Sequence, residues 1–192
     1  MKNIAIFASG SGSNFQAIVD AVKNGTLEAN VELLVCDKPG AFVIDRAEIE
    51  SIPSFVFLPK SFTNKEEYER VILEELQEKQ IDFIVLAGYM RLIGPTLLEA
   101  YEGRIVNIHP SLLPAFPGKD AIGQALDAKV KVSGVTVHYV DAGMDTGPVI
   151  AQEQVELSEN ETKESLQAKI HEIEHHLYPA VIQQILQHER GA

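Results

Sequence analysis

Asn107-Ile108-His109-Pro110-Ser111 sets two polar side chains two residues apart at the end of an apolar run. In a strand that spacing puts both on one side. An amide donor beside an imidazole suits stabilisation of an oxyanion on a carbonyl carbon, and histidine can also carry a proton near neutral pH. A carboxylate that orients the imidazole would complete the set, and Asp145, in the loop after the segment holding His138, is the candidate. A structural histidine closing a strand would read the same way.

A second group of chemical residues lies near the N-terminus. Ser9-Gly10-Ser11-Gly12-Ser13-Asn14 falls between an apolar strand and a helical pattern, where free N–H groups, hydroxyls and glycines make an anion site suited to a phosphate monoester. The loop lacks the Gly-Lys-Ser/Thr ending of a nucleotide-triphosphate loop, and Phe15 stands where a dinucleotide fingerprint has its third glycine. The alternative is a tight turn in which Ser13 or Asn14 caps the helix. A third pattern, His171-Glu172-Ile173-Glu174-His175, matches the H-x-x-E-H motif of a class of zinc proteases. That class needs a further acidic ligand well downstream, and only Glu189 follows, so no metal is expected.

These residues need elements to hold them. Residues 4–8, 31–35, 55–58 and 81–87 read as buried strands, the last apolar on both faces. Phe15, Ile18, Val19 and Val22 recur at helical spacing, residues 41–50 make a short helix, and Asn64 caps a helix carrying Tyr68, Val71, Ile72 and Leu76. A short helix at 95–101, a strand at 104–108 and a proline-rich loop through Pro110, Pro114 and Pro117 come next. Residues 131–140 and 149–155 alternate as strands, and a long helix from Thr162 carries the stripe Leu166, Ile170, Ile173 and Leu177, broken or bent at Pro179. Strands alternating with helices predict an α/β fold, a doubly wound, mainly parallel sheet flanked by helices. No repeat or linker composition divides residues 1–192, which read as a single domain.

Composition narrows the partners. The chain has 192 residues, 45% hydrophobic and 23% charged, with a net charge of −12. That excludes a disordered or disulfide-stapled chain, and Cys36, alone, cannot form an internal bridge, which suits a reducing compartment. An acidic surface argues against nucleic acid, whose phosphates demand cations, so an anionic ligand would need locally placed donors. Met1-Lys2-Asn3 precedes too short an apolar run for a signal peptide, and no run reaches the roughly 20 residues that span a bilayer. A cytoplasmic protein with no membrane partner is expected.

Asn107 to Pro114, with Gly118 and Asp145-Thr146-Gly147-Pro148 downstream, together with Gly10-Ser11-Gly12-Ser13-Asn14 and Ala87-Gly88-Tyr89-Met90-Arg91, resembles the signature of the folate-dependent formyltransferases. The resemblance covers essentially the whole chain and implies the formyltransferase fold with a Rossmann-like N-terminal half. It implies transfer of a formyl group from 10-formyltetrahydrofolate, as co-substrate, to the amine of 5′-phosphoribosylglycinamide in purine synthesis. Relatives acting on initiator methionyl-tRNA, or hydrolysing formyltetrahydrofolate, are expected to carry a further C-terminal or N-terminal domain. By resemblance, Asn107 and His109 stabilise the tetrahedral oxyanion and Asp145 moves the proton. Gly12, Ser13, Asn14 and Glu174 hold the ribotide. Met90, Arg91, Leu92 and Ile93, with Asn107, Val140, Asp141, Ala142, Gly143 and Met144, form the folate site, and Lys65 meets the folate tail. Residues 1–100 would be the phosphate-binding half and 101–192 the catalytic and folate-binding half.

The pattern departs from relatives at two places: Gly118-Lys119-Asp120-Ala121-Ile122 lacks histidines that many carry, and His171 stands where some have glutamine. No catalytic role is expected of Asp120. The partners expected are small-molecule substrates, with the chain a monomer or homodimer. The competing functions are a phosphoribotide-binding module that does no chemistry and a zinc metalloprotease using His171, Glu174 and His175.

Overall fold

A computed structural model describes residues 1–190. One seven-stranded sheet contains β1 (Lys2–Ala8), β2 (Ala29–Cys36), β3 (Ser54–Val56), β4 (Phe83–Leu86), β5 (Ile105–His109), β6 (Val132–Tyr139) and β7 (Val149–Glu156), in the order β3-β2-β1-β4-β5-β6-β7. The first five strands are mutually parallel, and β6 and β7 extend the sheet antiparallel. The strand order reverses between β1 and β4, the position at which an open α/β sheet forms a crevice beyond its carboxyl ends.

Period-two alternation supplies both layers of the core. Ile4, Ile6, Phe83, Val85, Val106, Ile108, Val135 and Val137 face α1 (Ser13–Lys23), α2 (Phe42–Ile49) and α6 (Lys163–Arg190). Ala5, Phe7, Leu33, Val35, Ile84, Leu86 and Ile105 face α3 (Lys65–Glu78) and α4 (Pro95–Ala100). The α3 helix begins as its sequence predicts, with the Asn64 side chain accepting a hydrogen bond from the Glu67 N–H at 2.9 Å.

Three details differ from the sequence pattern. An additional helix, α5 (Ala121–Asp127), follows the proline-rich loop. It is short and holds a glycine, so its periodicity is faint. Asp120, at φ 54°, caps it by accepting from the Gly123 N–H, and a Cβ on Gly123 would lie 2.2 Å from the Asp120 carboxylate. Second, α6 runs unbroken through Pro179, because the residues around the missing N–H are held against the sheet: Tyr178, Val181 and Ile182 are all buried. Third, the buried stripe of α6 is Leu166, Ile170, Glu174, Tyr178 and Ile182, with Ile173 and Leu177 only half-buried. The Tyr178 hydroxyl lies 2.7 Å from the Leu86 carbonyl and 3.2 Å from that of Val106, bridging β4 and β5. A polar tip satisfied in this way lets a tyrosine occupy a core position.

Candidate active site

The carboxyl ends of β1, β4 and β5 open into a cleft of about 670 Å³, lined by the glycine loop, residues 86–93 and 107–110, Gly118 to Ile122, His138, Asp145 and, from α6, His171 and Glu174. Sequence-distant candidates therefore converge on one site. Lys65 and Ala142 are outside this lining.

The chemistry is concentrated at the β5–β6 pair. Antiparallel register sets Asn107 opposite His138 and His109 opposite Thr136, so all four side chains share a face. The connection from β6 to β7 folds back across that face. Tyr139 N–H donates to the Pro148 carbonyl at 2.9 Å, and Gly147 allows the approach, since a Cβ there would sit 1.7 Å from the Tyr139 oxygen. Asp145, at φ 57°, is delivered between the two imidazoles. Its Oδ2 lies 3.5 Å from His109 Nδ1 and accepts from the Gly118 N–H at 2.8 Å, while its Oδ1 is 3.8 Å from His138 Nε2.

Both rings turn their other nitrogen to a backbone carbonyl: His109 Nε2 lies 2.9 Å from the Phe116 oxygen and His138 Nδ1 2.8 Å from the Tyr139 oxygen. A carbonyl only accepts, so those nitrogens carry protons and the opposite ring nitrogens are the ones that face Asp145. Asn107 is half-buried at the cleft wall. Together these groups offer an amide donor, a protonatable ring and a carboxylate around one small volume, the equipment for attack on a carbonyl carbon.

The loop that carries Phe116 and Gly118 is locked by residues the sequence reading did not single out. Thr136 Oγ1 donates to the Ser111 carbonyl at 2.7 Å and accepts from the Leu113 N–H at 3.0 Å. Gln152 Nε2 donates to the Leu113 carbonyl at 2.9 Å. The Leu113-Pro114 bond is cis. The available signal was a threonine flanked by Val135 and Val137 in a strand pattern, two residues from His138.

At the glycine loop, Gly12, rather than Ser13 or Asn14, is the N-cap of α1, and no side chain caps it. The first-turn N–H groups therefore have no side-chain cap and are open to an anion. Gly12 adopts φ 77°, and a Cβ would lie 2.5 Å from Val43 Cγ2, so α2 packs directly against the loop. Arg46 Nε donates to the Ser11 carbonyl at 2.7 Å. Asn14 Nδ2 donates to Glu174 Oε2 at 3.0 Å, and burial pushes the Glu174 carboxyl up to about 7.

On the third side, residues 88–94 are held by polar tethers. Met90 N–H donates to Ser9 Oγ at 2.9 Å, Arg91 Nε to Asp37 Oδ2 at 2.8 Å, Lys65 Nζ to the Leu92 carbonyl at 2.8 Å and Gly94 N–H to Glu69 Oε2 at 2.8 Å. Lys65 and Arg91 thus both have partners within the chain. Burial pushes the Glu69 carboxyl up, against the Gly94 N–H and Lys65, which pull it down. Opposite, the Asp141 side chain accepts from Gly143 N–H and Thr146 Oγ1, bonds that hold its carboxyl below the usual range and shape the turn bearing Met144.

The side chains of the H-x-x-E-H segment engage one another and their neighbours. His171 and His175 stack with centroids 5.8 Å apart, Glu174 is engaged by Asn14, and Glu189 lies 3.9 Å from Lys2. Among the described residues, no three His, Cys, Asp or Glu side chains gather as ligands.

An open α/β sheet with an amide, two imidazoles and a carboxylate gathered at its crevice has the groups that an acyl-group transferase needs. Comparison with known proteins agrees. The model of the family described as formyl transferase matches residues 2–182, and the chain belongs to that family. It is 60% identical over 186 residues to the phosphoribosylglycinamide formyltransferase of Bacillus subtilis, covering 97% of this chain and 95% of that protein. The crystal structure of phosphoribosylglycinamide formyltransferase from Bacillus halodurans superposes with a TM-score of 0.94 at 60% identity, covering 96% and 95% of the two chains. That of glycinamide ribonucleotide transformylase 1 from Geobacillus kaustophilus gives 0.95 at 66% identity, covering 97% and 99%.

Proposed function

We propose that this chain transfers the formyl group of 10-formyltetrahydrofolate to the amine of 5′-phosphoribosylglycinamide, a step of purine synthesis. The observation that carries the reading is the convergence, in one cleft, of an uncapped glycine-loop helix start with Asn107, His109 and Asp145. The first suits a phosphate monoester and the second suits carbonyl addition.

The ribotide phosphate sits on the Gly12, Ser13 and Asn14 donors, with Glu174 beside it on the ribose side. The folate ring lies between residues 90–93 and 140–144, and its tail runs toward Lys65. The amine attacks the formyl carbon, forming a new C–N bond, and the carbonyl electrons move to oxygen. Asn107 Nδ2 and the His109 imidazole stabilise that oxyanion. Asp145 receives the proton shed by the attacking amine, directly or through water, and returns a proton to the folate nitrogen as its bond to the formyl carbon breaks. A carboxylate braced by the Gly118 N–H and flanked by two imidazoles can hold and release a proton without moving.

Residues 1–192 act as one domain in this reading, although its two halves share their tasks: Met90 to Ile93 come from the first and Glu174 from the second. The partners are small molecules, and the location is cytoplasmic. Among the described residues no helix is long and apolar enough to cross a membrane. A spectrophotometric assay with the ribotide and a 10-formyl folate tests the proposal. Folate-dependent formylation of the amine supports it, and its absence from purified, folded protein overturns it.

A further inference from the structure

We propose that Asp37 is a positioning residue for the folate-side loop, holding residues 90 and 91 from behind through Ser9 and Arg91. The inference rests on the assignment of that loop to the folate site. Asp37 follows β2 directly and is 7% exposed, yet it does not line the cleft. Its Oδ1 accepts from the Ser9 hydroxyl, whose oxygen in turn accepts the Met90 N–H at 2.9 Å. Its Oδ2 accepts from Arg91 Nε at 2.8 Å. Ser9 N–H also donates to the Gly88 carbonyl at 3.1 Å, so the Ser9 backbone fixes the loop's entry, and its hydroxyl with the Asp37 carboxylate fixes the next turn.

Apolar packing does not do this job at the loop's apex. Met90 is 72% exposed, and its place is set by its backbone hydrogen bond. Charge-assisted bonds are short and directional, which suits them to holding a loop whose outer face must remain open to a ligand. The pair also has a cost for the proposed substrate: a carboxylate beside Arg91 weakens its attraction for an anionic folate tail. A purely electrostatic role and a positioning role for Asp37 therefore predict opposite signs when its charge is removed.

The test uses wild-type protein, Asp37→Asn and Ser9→Ala, with kcat and both KM values measured beside calorimetric titration with tetrahydrofolate. The expected result for Asp37→Asn is a rise of about tenfold in KM for the formyl folate, the size of one lost charge-assisted bond, with the ribotide KM within about twofold of wild type. Ser9→Ala, which keeps the Arg91 pair, should raise the folate KM about threefold, because the bond the loop itself loses is the neutral one from the Met90 N–H to Ser9 Oγ. It carries the test alone if Asp37→Asn does not fold. A folate KM that is unchanged or lower in the variants overturns the proposal, as does a parallel rise in both KM values, which would mark general loosening. Wild-type protein that binds no tetrahydrofolate overturns the folate assignment itself. Wild-type binding matched by both variants overturns only the role of Asp37.

Discussion

The parallel strands β1 and β4 and the antiparallel β5–β6 pair serve the cleft by different means. At the ends of β1 and β4 the work falls to backbone groups: the uncapped start of α1 and the tethered loop after β4. On β5 and β6 it falls to side chains, with Asn107, His109 and His138 on one face and Asp145 folded onto them. Parallel strands end in loops and helix starts, which offer N–H groups without adding charge. The antiparallel pair sets side chains directly opposite one another, so that groups from two strands meet on one face beneath Asp145. Under the proposed function, a chain with a net charge of −12 would bind anions in one region and do carboxylate chemistry in the other.

The sharpest way to break this division is to remove the side-chain chemistry. His109→Ala and Asp145→Asn should each lower kcat about 10³-fold or more while leaving ribotide binding nearly intact, as measured by steady-state kinetics and titration. Turnover within about tenfold of wild type would return catalysis to the backbone side.

The next effect concerns the buried acid where the two regions meet. With a folded value of about 7 against an ordinary 4.5, Glu174 holds a proton in the folded state that the unfolded chain has released between those values. Its contribution to stability is complete below about 4.5 and is lost as pH rises through 7, by up to roughly 3 kcal/mol. Glu174→Gln should flatten that slope in urea unfolding at pH 5 and pH 8, and an unchanged slope would assign it to another group.

Gly12→Ala comes third. Positive φ and the contact with Val43 should lower stability by about 1–3 kcal/mol and raise the ribotide KM, while the folate KM holds steady. Equal changes in both would show that the two loops are not independent. Smallest is Thr136→Val, which strips one hydroxyl from the Ser111 to Leu113 segment and should cost about 1–2 kcal/mol in thermal unfolding, with kcat falling because His109 loses its fixed neighbour Phe116.

The two regions also differ in how much of them the sequence discloses. Asn107 and His109 are legible because period two places them on one face, and Gly12 because a strand, a glycine turn and a helix follow in order. The sheet's class follows from alternation for the same reason. The supports are not legible. Asp37 meets Arg91 across 54 residues, Glu69 meets Gly94 across 25 and Thr136 meets Leu113 across 23, and no local pattern encodes such pairs. The stripe of α6 shows how burial misleads: counting apolar residues selects Ile173 and Leu177, whereas the fold buries Glu174 and Tyr178, whose polar tips find partners in Asn14 and in the β4 and β5 carbonyls.

The strand β7 closes the sheet with an open edge eight residues long, where β3 at the other end offers only three. An edge of that length is a template for the growth of fibrils or sheet-to-sheet aggregates. Glu153 and Glu156 stand exposed along it, so a second edge approaching in register would bring like charges together. The strand that helps lock the catalytic loop through Gln152 thus also carries, in Glu153 and Glu156, the side chains that guard the sheet's longest edge, and replacing both glutamates by valine should make the enzyme aggregation-prone there.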